Sequence, residues 1–203
     1  MLRLLMKHLP APSLILDAGA AEGALALKLS HLNHTVVCLD IDIDRLKRAP
    51  KPAVCADIQH PLPFRNNAFS AVLLVEVLEH CLNPFAVLQE IQRILRPGGL
   101  VLATVPNVLS LASRLRFLLT GWFNLYSPKR LNAPPQHRHI FPLPAPVLLF
   151  LFEKAGFAIL DICTDRLQRT SLALLPLLLP ATAATKLPLL LGRSLIVLAQ
   201  KPE

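Results

Sequence analysis

The stretch Leu14-Ile-Leu-Asp-Ala-Gly-Ala-Ala-Glu-Gly23 decides the fold of this 203-residue chain. An apolar run ends at Asp17, and Gly19 and Gly23 follow where a turn opens a helix. Glycine tolerates the dihedral angles of such a turn and lets the backbone approach a ligand closely. The spacing matches neither the Gly-x-Gly-x-x-Gly fingerprint of dinucleotide sites nor the Gly-Lys-Ser/Thr ending of a P-loop. The stretch predicts a strand, a ligand-binding turn and a helix.

Apolar, β-branched runs alternate with segments of helical periodicity through most of the chain. The predicted strands are Ser13–Ala18, Thr35–Asp40, Ala53–Ala56, Phe69–Val75, Leu100–Val105, Phe157–Ile162 and Ser194–Gln200. The predicted helices are Glu22–Leu32, Ile43–Arg48, Pro84–Leu95 and Val147–Lys154. This alternation is typical of βαβ units that close a mostly parallel sheet. The length of the chain and its 53% hydrophobic residues favour one α/β domain over residues 1–203.

The alternation lapses between Pro106 and Pro146, where prolines cluster. We therefore predict a substrate-covering insertion over residues 107–146. Within it, Val108 to Phe123 mixes leucines, phenylalanines and a tryptophan with arginines, and Tyr126, Lys129 and Arg130 follow. Such a composition suits an interfacial helix that contacts a membrane. The alternative is a helical lid that packs on its own domain.

The net charge of +8 is concentrated in the middle of the chain. Residues 1–90 carry eight Lys/Arg against nine Asp/Glu, residues 91–152 carry seven against none, and residues 153–203 carry six against four. The field of that middle segment would attract an anionic substrate, a phospholipid surface or a nucleic acid.

The cysteines and the apolar segments indicate a cytoplasmic protein. Four cysteines, at positions 38, 55, 81 and 163, show no regular spacing, which predicts reduced thiols and no thiolate zinc site. The first residues lack a small-residue cleavage site, so we expect no secretion signal. The very apolar segment Leu172–Leu191 contains three prolines and a lysine, which disfavours a membrane-spanning helix.

The glycine-turn stretch resembles the first motif of the class I S-adenosylmethionine-dependent methyltransferases, an acidic residue followed by Gly-x-Gly-x-Gly. Asp17, Gly19 and Gly23 match that motif, and Ala21 takes the place of the middle glycine. Further stretches resemble the type 11 and type 23 subgroups in the same order. They are Asp40 at the end of the second strand, Ala56-Asp-Ile58 with Pro61-Leu-Pro-Phe64, Phe69 to His80 with its Leu-Glu-His ending, Arg93 to Gly99, and Thr104-Val-Pro-Asn107.

This resemblance implies a Rossmann-like three-layer sandwich with strand order 3-2-1-4-5-7-6 and an antiparallel last strand. It implies that S-adenosylmethionine lies across the carboxyl ends of the first, second and fourth strands, as ligands do in open α/β sheets. Asp40 would accept hydrogen bonds from the ribose hydroxyls, and Asp57 would receive the adenine amino group. The full set of implied cofactor-binding residues is Asp17, Ala18, Gly19, Ala20, Gly23, Asp40, Ile41, Asp57, Ile58, Val75 and Glu76.

Three histidines are the candidates for a base that removes a proton from the acceptor. His80, His137 and His139 are chosen by residue type, because methylation of a hydroxyl or an acidic carbon requires a nearby base. A structural role for the Glu79-His80 pair is the favoured alternative. His137-x-His139 suggests a metal pair, but no third ligand stands at a telling spacing, so we predict no metal site.

The acceptor is predicted to be a small molecule or a lipid-like compound, with an anionic group or a peripheral membrane contact as further hypotheses. Enzymes that methylate amino groups of nucleic-acid bases share an Asp/Asn-Pro-Pro-aromatic motif after the fourth strand. Here that place holds Val75-Glu-Val-Leu78, so we expect O- or C-methylation and no nucleic-acid acceptor. A catalytically silent methyltransferase-like fold that binds partners through its basic face is the alternative function.

Overall fold

A computed structural model describes residues 1–126, 134, 138–166, 170–171 and 191–203 of the chain. Seven strands form one sheet: β1 (Leu14–Ala18), β2 (Thr35–Asp40), β3 (Ala53–Cys55), β4 (Phe69–Val75), β5 (Leu95–Pro106), β6 (Ala158–Thr164) and β7 (Ser194–Gln200). The helices are α1 (Leu2–Met6), α2 (Ala24–Ser30), α3 (Ile43–Leu46), α4 (Pro84–Ile94), α5 (Leu111–Thr120) and α6 (Ala145–Lys154). A 3₁₀ turn, Leu78–His80, follows β4.

The strand order is β3-β2-β1-β4-β5-β7-β6. The pairs from β3 to β5 are parallel, and β7 lies antiparallel between β5 and β6. The predicted order and the antiparallel last strand are therefore confirmed. Because β1 and β4 are adjacent while their connections run to opposite sides, the strand order reverses between them, where open α/β sheets bind their ligands.

Both faces of the sheet are buried, and this explains the unbroken apolar runs of its central strands. Successive residues point to opposite faces. Leu16 and Val72 belong to a cluster that includes α4 and α6, whereas Ile15 and Ala71 belong to a second cluster with α1 and α2. The chain thus forms the predicted three layers, with helices on each side of the sheet.

The structure differs from the sequence predictions mainly at element ends. Helix α1 was not predicted, yet its Leu5 side chain is fully buried against the sheet. Strand β5 begins at Leu95 rather than Leu100, because Leu95 already pairs with Phe69 of β4, before a register shift that precedes the pairing of Leu100 with Ala71. Within the insertion, α5 begins after the Ser110 cap and ends at Gly121, whose φ is +72°.

Some sequence predictions concern residues that the structure does not describe. His137, Lys129 and Arg130 lie outside the described residues, as does most of the apolar segment Leu172–Leu191. Across the described ranges, no helix combines the length and the hydrophobicity that a bilayer crossing requires. Of the four cysteines, Cys38 and Cys81 are buried, Cys163 is half-buried and Cys55 is exposed, and all four thiols are free in the structure.

Candidate active site

A cleft of about 200 Å³ opens at the carboxyl ends of β1 to β4. Its walls are the loops that follow these four strands, because parallel strands present their carboxyl ends at one edge of a sheet. The cleft is lined by Gly19, Ala21, Leu39, Asp40, Ile41, Asp42, Arg45, Ala56, Asp57, Ile58, Gln59, Glu76, Val77, His80 and Cys81.

The glycine turn after β1 forms one wall of the cleft. The Gly19 and Ala20 amides donate hydrogen bonds of 2.7 and 2.9 Å to the carbonyl oxygen of Leu39, which ties the turn to β2. Gly19 has a φ of +85°, and a Cβ placed there would lie 2.5 Å from Cγ2 of Val77. Side chains rarely adopt this backbone conformation, and the space is already filled, so only glycine fits this position.

Asp40 fixes the same turn from the end of β2. Its Oδ2 accepts a 2.7 Å hydrogen bond from the Ala21 amide, and its Oδ1 accepts a 2.9 Å hydrogen bond from the Asp42 amide. Ala21 has a φ of +49°, an uncommon conformation for a residue with a side chain. The hydrogen bond from its amide compensates part of that strain.

The loop after β3 forms the facing wall. Asp57 accepts a 2.9 Å hydrogen bond from the Gln59 amide, and Gln59 in turn accepts one of 2.7 Å from the Leu82 amide. Oδ2 of Asp57 lies 3.2 Å from Nδ1 of the exposed His60. These contacts connect the loop after β3 to the segment that follows the 3₁₀ turn.

Asp17 lies beneath the cleft rather than in its wall. Asp17 is only 2% exposed, and no described residue donates a hydrogen bond to its Oδ2. Burial raises the pKa of this carboxyl to about 6. The hydrogen bond from the Ala26 amide opposes this increase, and the Asp40 carboxylate adds to it.

Glu76 stands where β4 leaves the sheet, with a φ of +55°. Its amide donates to the Thr104 carbonyl oxygen at 3.0 Å, and its Oε1 accepts a 3.0 Å hydrogen bond from the Thr104 hydroxyl. Burial raises the pKa of the Glu76 carboxyl, and the Thr104 hydrogen bond partly offsets that increase. Strained backbone held in this way is typical of functional sites.

A cluster of Glu79, His80, His139 and Tyr126 adjoins the cleft, and His80 is the member that lines it. Nδ1 of His80 lies 2.8 Å from the Arg138 carbonyl oxygen. The rings of His80 and His139 meet edge to face with centroids 4.7 Å apart, and the Tyr126 ring lies 5.4 Å from that of His139. Burial raises the pKa of Glu79 well above its ordinary value, and the Glu76 carboxyl adds to this.

Six of the eleven residues predicted to bind the cofactor line the cleft, namely Gly19, Asp40, Ile41, Asp57, Ile58 and Glu76. The other five, Asp17, Ala18, Ala20, Gly23 and Val75, are not among its lining residues. The sequence predictions missed seven further lining residues, namely Leu39, Asp42, Arg45, Ala56, Gln59, Val77 and Cys81. These residues lie at or shortly after the end of a predicted strand, and this position is the signal that could have found them.

Comparison with known proteins shows which proteins this chain resembles. Residues 16–103 match the model of the methyltransferase domain family. The chain is 38% identical over 108 residues to the uncharacterized methyltransferase YodH of Bacillus subtilis, a match that covers 48% of this chain and 46% of that protein. It is 28% identical over 175 residues to the tRNA 5-carboxymethoxyuridine methyltransferase of Escherichia coli, covering 78% and 64% respectively.

Two further similarities extend the comparison. A ubiquinone biosynthesis O-methyltransferase of Dinoroseobacter shibae is 34% identical over 102 residues, covering 46% of this chain and 41% of that protein. The chain thus spans less than two thirds of each of these relatives. In three dimensions, the crystal structure of a SAM-dependent methyltransferase from Archaeoglobus fulgidus matches with a TM-score of 0.72, covering 98% of this chain and 91% of that one at 16% identity.

The matched sequence segment holds the glycine turn, Asp40, Asp57 and the β4 motif, and the fold has the strand order that these motifs imply. S-adenosylmethionine is the cofactor that both the family match and the structural similarity imply. By its sequence motifs and its fold, the chain resembles the class I S-adenosylmethionine-dependent methyltransferases.

Proposed function

We propose that this chain transfers the methyl group of S-adenosylmethionine to a small-molecule or lipid-like acceptor by O- or C-methylation. The observation that carries the proposal is the convergence of Gly19, Asp40 and Asp57, from three consecutive βα loops, on one cleft that His80 also lines. A nucleotide-like ligand and a group able to accept a proton can meet there.

The residues of the cleft suit an adenosyl ligand. Asp40 already accepts two backbone hydrogen bonds, but a carboxylate offers about four acceptor positions, so it retains capacity for the ribose hydroxyls. Asp57 and the backbone of Ile58 would hold the adenine. Ile41 is 54% exposed beside them and offers an apolar surface that the bound adenosine would cover. Gly19 leaves room for the remainder of the cofactor.

The bound cofactor supplies a methyl group already activated by its positively charged sulfur. The methyl carbon would bond to the acceptor as its bond to sulfur breaks, and the electron pair of that bond would stay on sulfur. The acceptor's proton must leave, and His80, His137 and His139 are our candidates for taking it. Holding the acceptor in line with the methyl group can supply about 7 to 11 kcal/mol of the barrier.

The class of acceptor is the least constrained part of the proposal. Known relatives are named for tRNA methylation and for ubiquinone biosynthesis, so the comparisons do not support excluding nucleic acid. We favour a small or lipid-like acceptor because the Asp/Asn-Pro-Pro-aromatic motif is replaced by Val75-Glu-Val-Leu78. The seven uncompensated cations of residues 91–152 would favour an acceptor with an anionic group.

Helix α5 supports the lipid-like version of the acceptor. Leu118 and Leu119 are 79% and 74% exposed, and Trp122 beyond the helix is 41% exposed. Arg114 and Arg116 accompany these side chains, and this combination is typical of helices that lie in a membrane interface. Co-sedimentation with anionic phospholipid vesicles at low salt should detect the contact, and Leu118→Gln with Leu119→Gln should weaken it. Absence of wild-type binding would remove the membrane hypothesis.

Two experiments test the main proposal. Calorimetric titration with S-adenosylhomocysteine should show saturable binding, whereas no heat at millimolar ligand would favour the silent binding-module alternative. Trideuteromethyl-labelled S-adenosylmethionine is then supplied with three separate pools, namely lysate metabolites, a lipid extract and total tRNA. A labelled product in the metabolite or lipid pool supports the proposal, and a label confined to tRNA overturns its acceptor class.

A further inference from the structure

Glu79 carries a carboxyl group that the fold leaves without a hydrogen-bond donor. Glu79 is 0% exposed, and neither Oε1 nor Oε2 has a hydrogen-bond partner among the described residues. Burying a charged carboxylate in this way is costly unless a cation or a proton accompanies it. Its backbone carbonyl, by contrast, accepts hydrogen bonds from the amides of Ile140 and Phe141 at 2.9 and 3.1 Å. These backbone hydrogen bonds do not involve the Glu79 side chain, so they do not explain why its carboxyl group is buried.

His80 presents a defined nitrogen to this carboxyl group. A carbonyl oxygen can only accept a hydrogen bond, so the 2.8 Å contact with the Arg138 carbonyl assigns the proton to Nδ1 of His80. In the neutral ring, Nε2 then carries the lone pair, and it lies 4.0 Å from Oε1 of Glu79. A ring N–H donated to a backbone carbonyl is the arrangement that orients histidine ligands in metal sites.

His139 is brought to the same place by the end of the insertion. The hydrogen bonds from Ile140 and Phe141 to Glu79 anchor this segment beside the 3₁₀ turn. One ligand atom from each of Glu79, His80 and His139 lies within 4.8 Å of the other two. The sequence predicts no metal site because the His137-x-His139 pair has no third ligand at a telling spacing. The fold supplies two ligands from the loop after β4, far away in the chain.

We propose that Glu79, His80 and His139 bind a divalent transition-metal ion of the Zn²⁺ type. Two imidazoles and one carboxylate are a donor set of catalytic zinc sites, and three protein ligands leave a coordination position open. With metal–ligand distances of about 2.0 to 2.2 Å, tetrahedral ligand atoms lie roughly 3.4 Å apart. Side-chain rotations that move these ligand atoms by about an ångström would bring them to the spacing of a bound ion.

The competing explanation is a proton on Glu79, which the neighbouring Glu76 carboxyl also favours. The two explanations predict different behaviour. A metal ion would displace that proton, because ligands bind metals in their deprotonated forms. Zn²⁺ binding should therefore release protons and strengthen as the pH rises.

The acceptor would occupy the open coordination position of the metal ion. This role of the metal rests on the proposed function. A hydroxyl bound to a divalent ion loses its proton more readily, as metal-bound water does. The methyl group would then pass to the metal-held oxygen, and the proton would go to solvent. In that arrangement His80 and His139 act through the ion as ligands rather than as bases.

The test measures metal binding on the full chain after dialysis against a chelator. Titration with Zn²⁺ by calorimetry, and with Co²⁺ by visible absorption, should show one saturable site per chain. Glu79→Gln and His139→Ala should each weaken Zn²⁺ binding by about 100-fold or more and remove the absorption of tetrahedral Co²⁺. His8→Ala, an exposed histidine far from the cluster in sequence, is the matched control and should bind as the wild type does.

The outcomes separate this proposal from the proposed function. Glu79→Gln preserves the shape of a protonated glutamate, so it should fold, and far-ultraviolet circular dichroism with urea unfolding serves as the folding check. Should a variant fail that check, Glu79→Asp and His139→Asn replace it. Zn²⁺ affinity that is equal in Glu79→Gln, His139→Ala and His8→Ala, or no saturable site at all, overturns the metal proposal. Failure to bind S-adenosylhomocysteine with metal binding intact would instead count against the proposed function.

Discussion

Asp40 at the end of β2 accepts a 2.7 Å hydrogen bond from the amide of Ala21 in the turn after β1. The other carboxylate oxygen accepts a hydrogen bond from the Asp42 amide at 2.9 Å. The residue implied to hold the ribose thus also fixes the shape of the glycine turn. One side chain thus preorganises the turn after β1 and the start of the loop after β2, which reduces the ordering that a ligand must otherwise impose.

Asp40→Asn should weaken the binding of S-adenosylhomocysteine by at least about tenfold. The substituted amide group places N–H donors opposite one of the two backbone amides, and a hydrogen bond to a charged group contributes about 1.5 to 3 kcal/mol. Calorimetric titration measures the loss. Asp44→Asn is the matched control. It removes the same charge as Asp40→Asn, but the Asp44 side chain is 81% exposed. Equal affinities in the two variants would contradict the role of Asp40.

Gly19→Ala should weaken cofactor binding because the new methyl group has no room. A Cβ at Gly19 would lie 2.5 Å from Cγ2 of Val77, and the φ of +85° adds strain. Clashes and backbone strain of this kind cost on the order of 1 to 3 kcal/mol.

The double variant Gly19→Ala with Val77→Ala separates the two causes. It should recover the part of the affinity lost to the clash and leave the part lost to backbone strain. Val77→Ala alone gives the reference for that comparison. No recovery in the double variant would mean that the clash with Val77 contributes nothing.

The resemblance to the methyltransferase family implied the strand order, and the sequence placed three residues of the cleft directly after predicted strands for a physical reason. Strands buried on both faces appear as continuous apolar runs, and in a parallel sheet the residues after each run meet at one edge. Gly19, Asp40 and Asp57 therefore converge in the structure as their positions along the chain suggested.

The sequence could not predict the neighbourhood of Glu79, because it depends on the irregular insertion. Neither hydrophobic periodicity nor turn chemistry indicates that the segment around His139 returns to the loop after β4. Tertiary contacts establish that neighbourhood, namely the hydrogen bonds from Ile140 and Phe141 to Glu79 and the contact of His80 with the Arg138 carbonyl oxygen. The same limit applies to Asp17, whose burial depth is set by packing rather than by its motif.

Arg93→Lys should lower the free energy of unfolding by about 1 to 3 kcal/mol. The Arg93 guanidinium donates to both carboxylate oxygens of Glu90, to the carbonyl oxygens of Leu62 and Phe64, and to Asn66, at distances from 2.6 to 3.2 Å. A lysine ammonium has three donors and no planar fork, so it cannot hold the whole loop to α4. Urea unfolding measures the change.

Arg96→Lys is the control for this substitution, because Arg96 is exposed only three residues away. It should change the free energy of unfolding by less than about 0.5 kcal/mol. If Arg93→Lys proves equally neutral, the hydrogen bonds of Arg93 do not contribute to stability.

Asp17→Asn should make the protein more stable at neutral pH relative to the wild type. Burial raises the pKa of Asp17 from 3.8 to about 6, so the folded protein binds this proton more tightly than the unfolded chain does. The resulting stabilisation is fully present below pH 3.8 and is lost as the pH rises through about 6. With about 1.4 kcal/mol per pKa unit, the loss is on the order of 2 to 3 kcal/mol. Asparagine keeps the shape and an acceptor for the Ala26 amide, but it cannot ionise.

Chemical denaturation of both proteins between pH 4 and pH 7 tests this expectation. The free energy of unfolding of the wild type minus that of Asp17→Asn should fall across this range, because the contributions of the other carboxyl groups cancel in the difference. Asp44→Asn is the control of opposite sign, since the hydrogen bond from Lys47 lowers the pKa of Asp44. The corresponding difference for Asp44 should not fall with rising pH. A flat difference for Asp17 would mean that its carboxyl ionises as readily in the folded protein as in the unfolded chain.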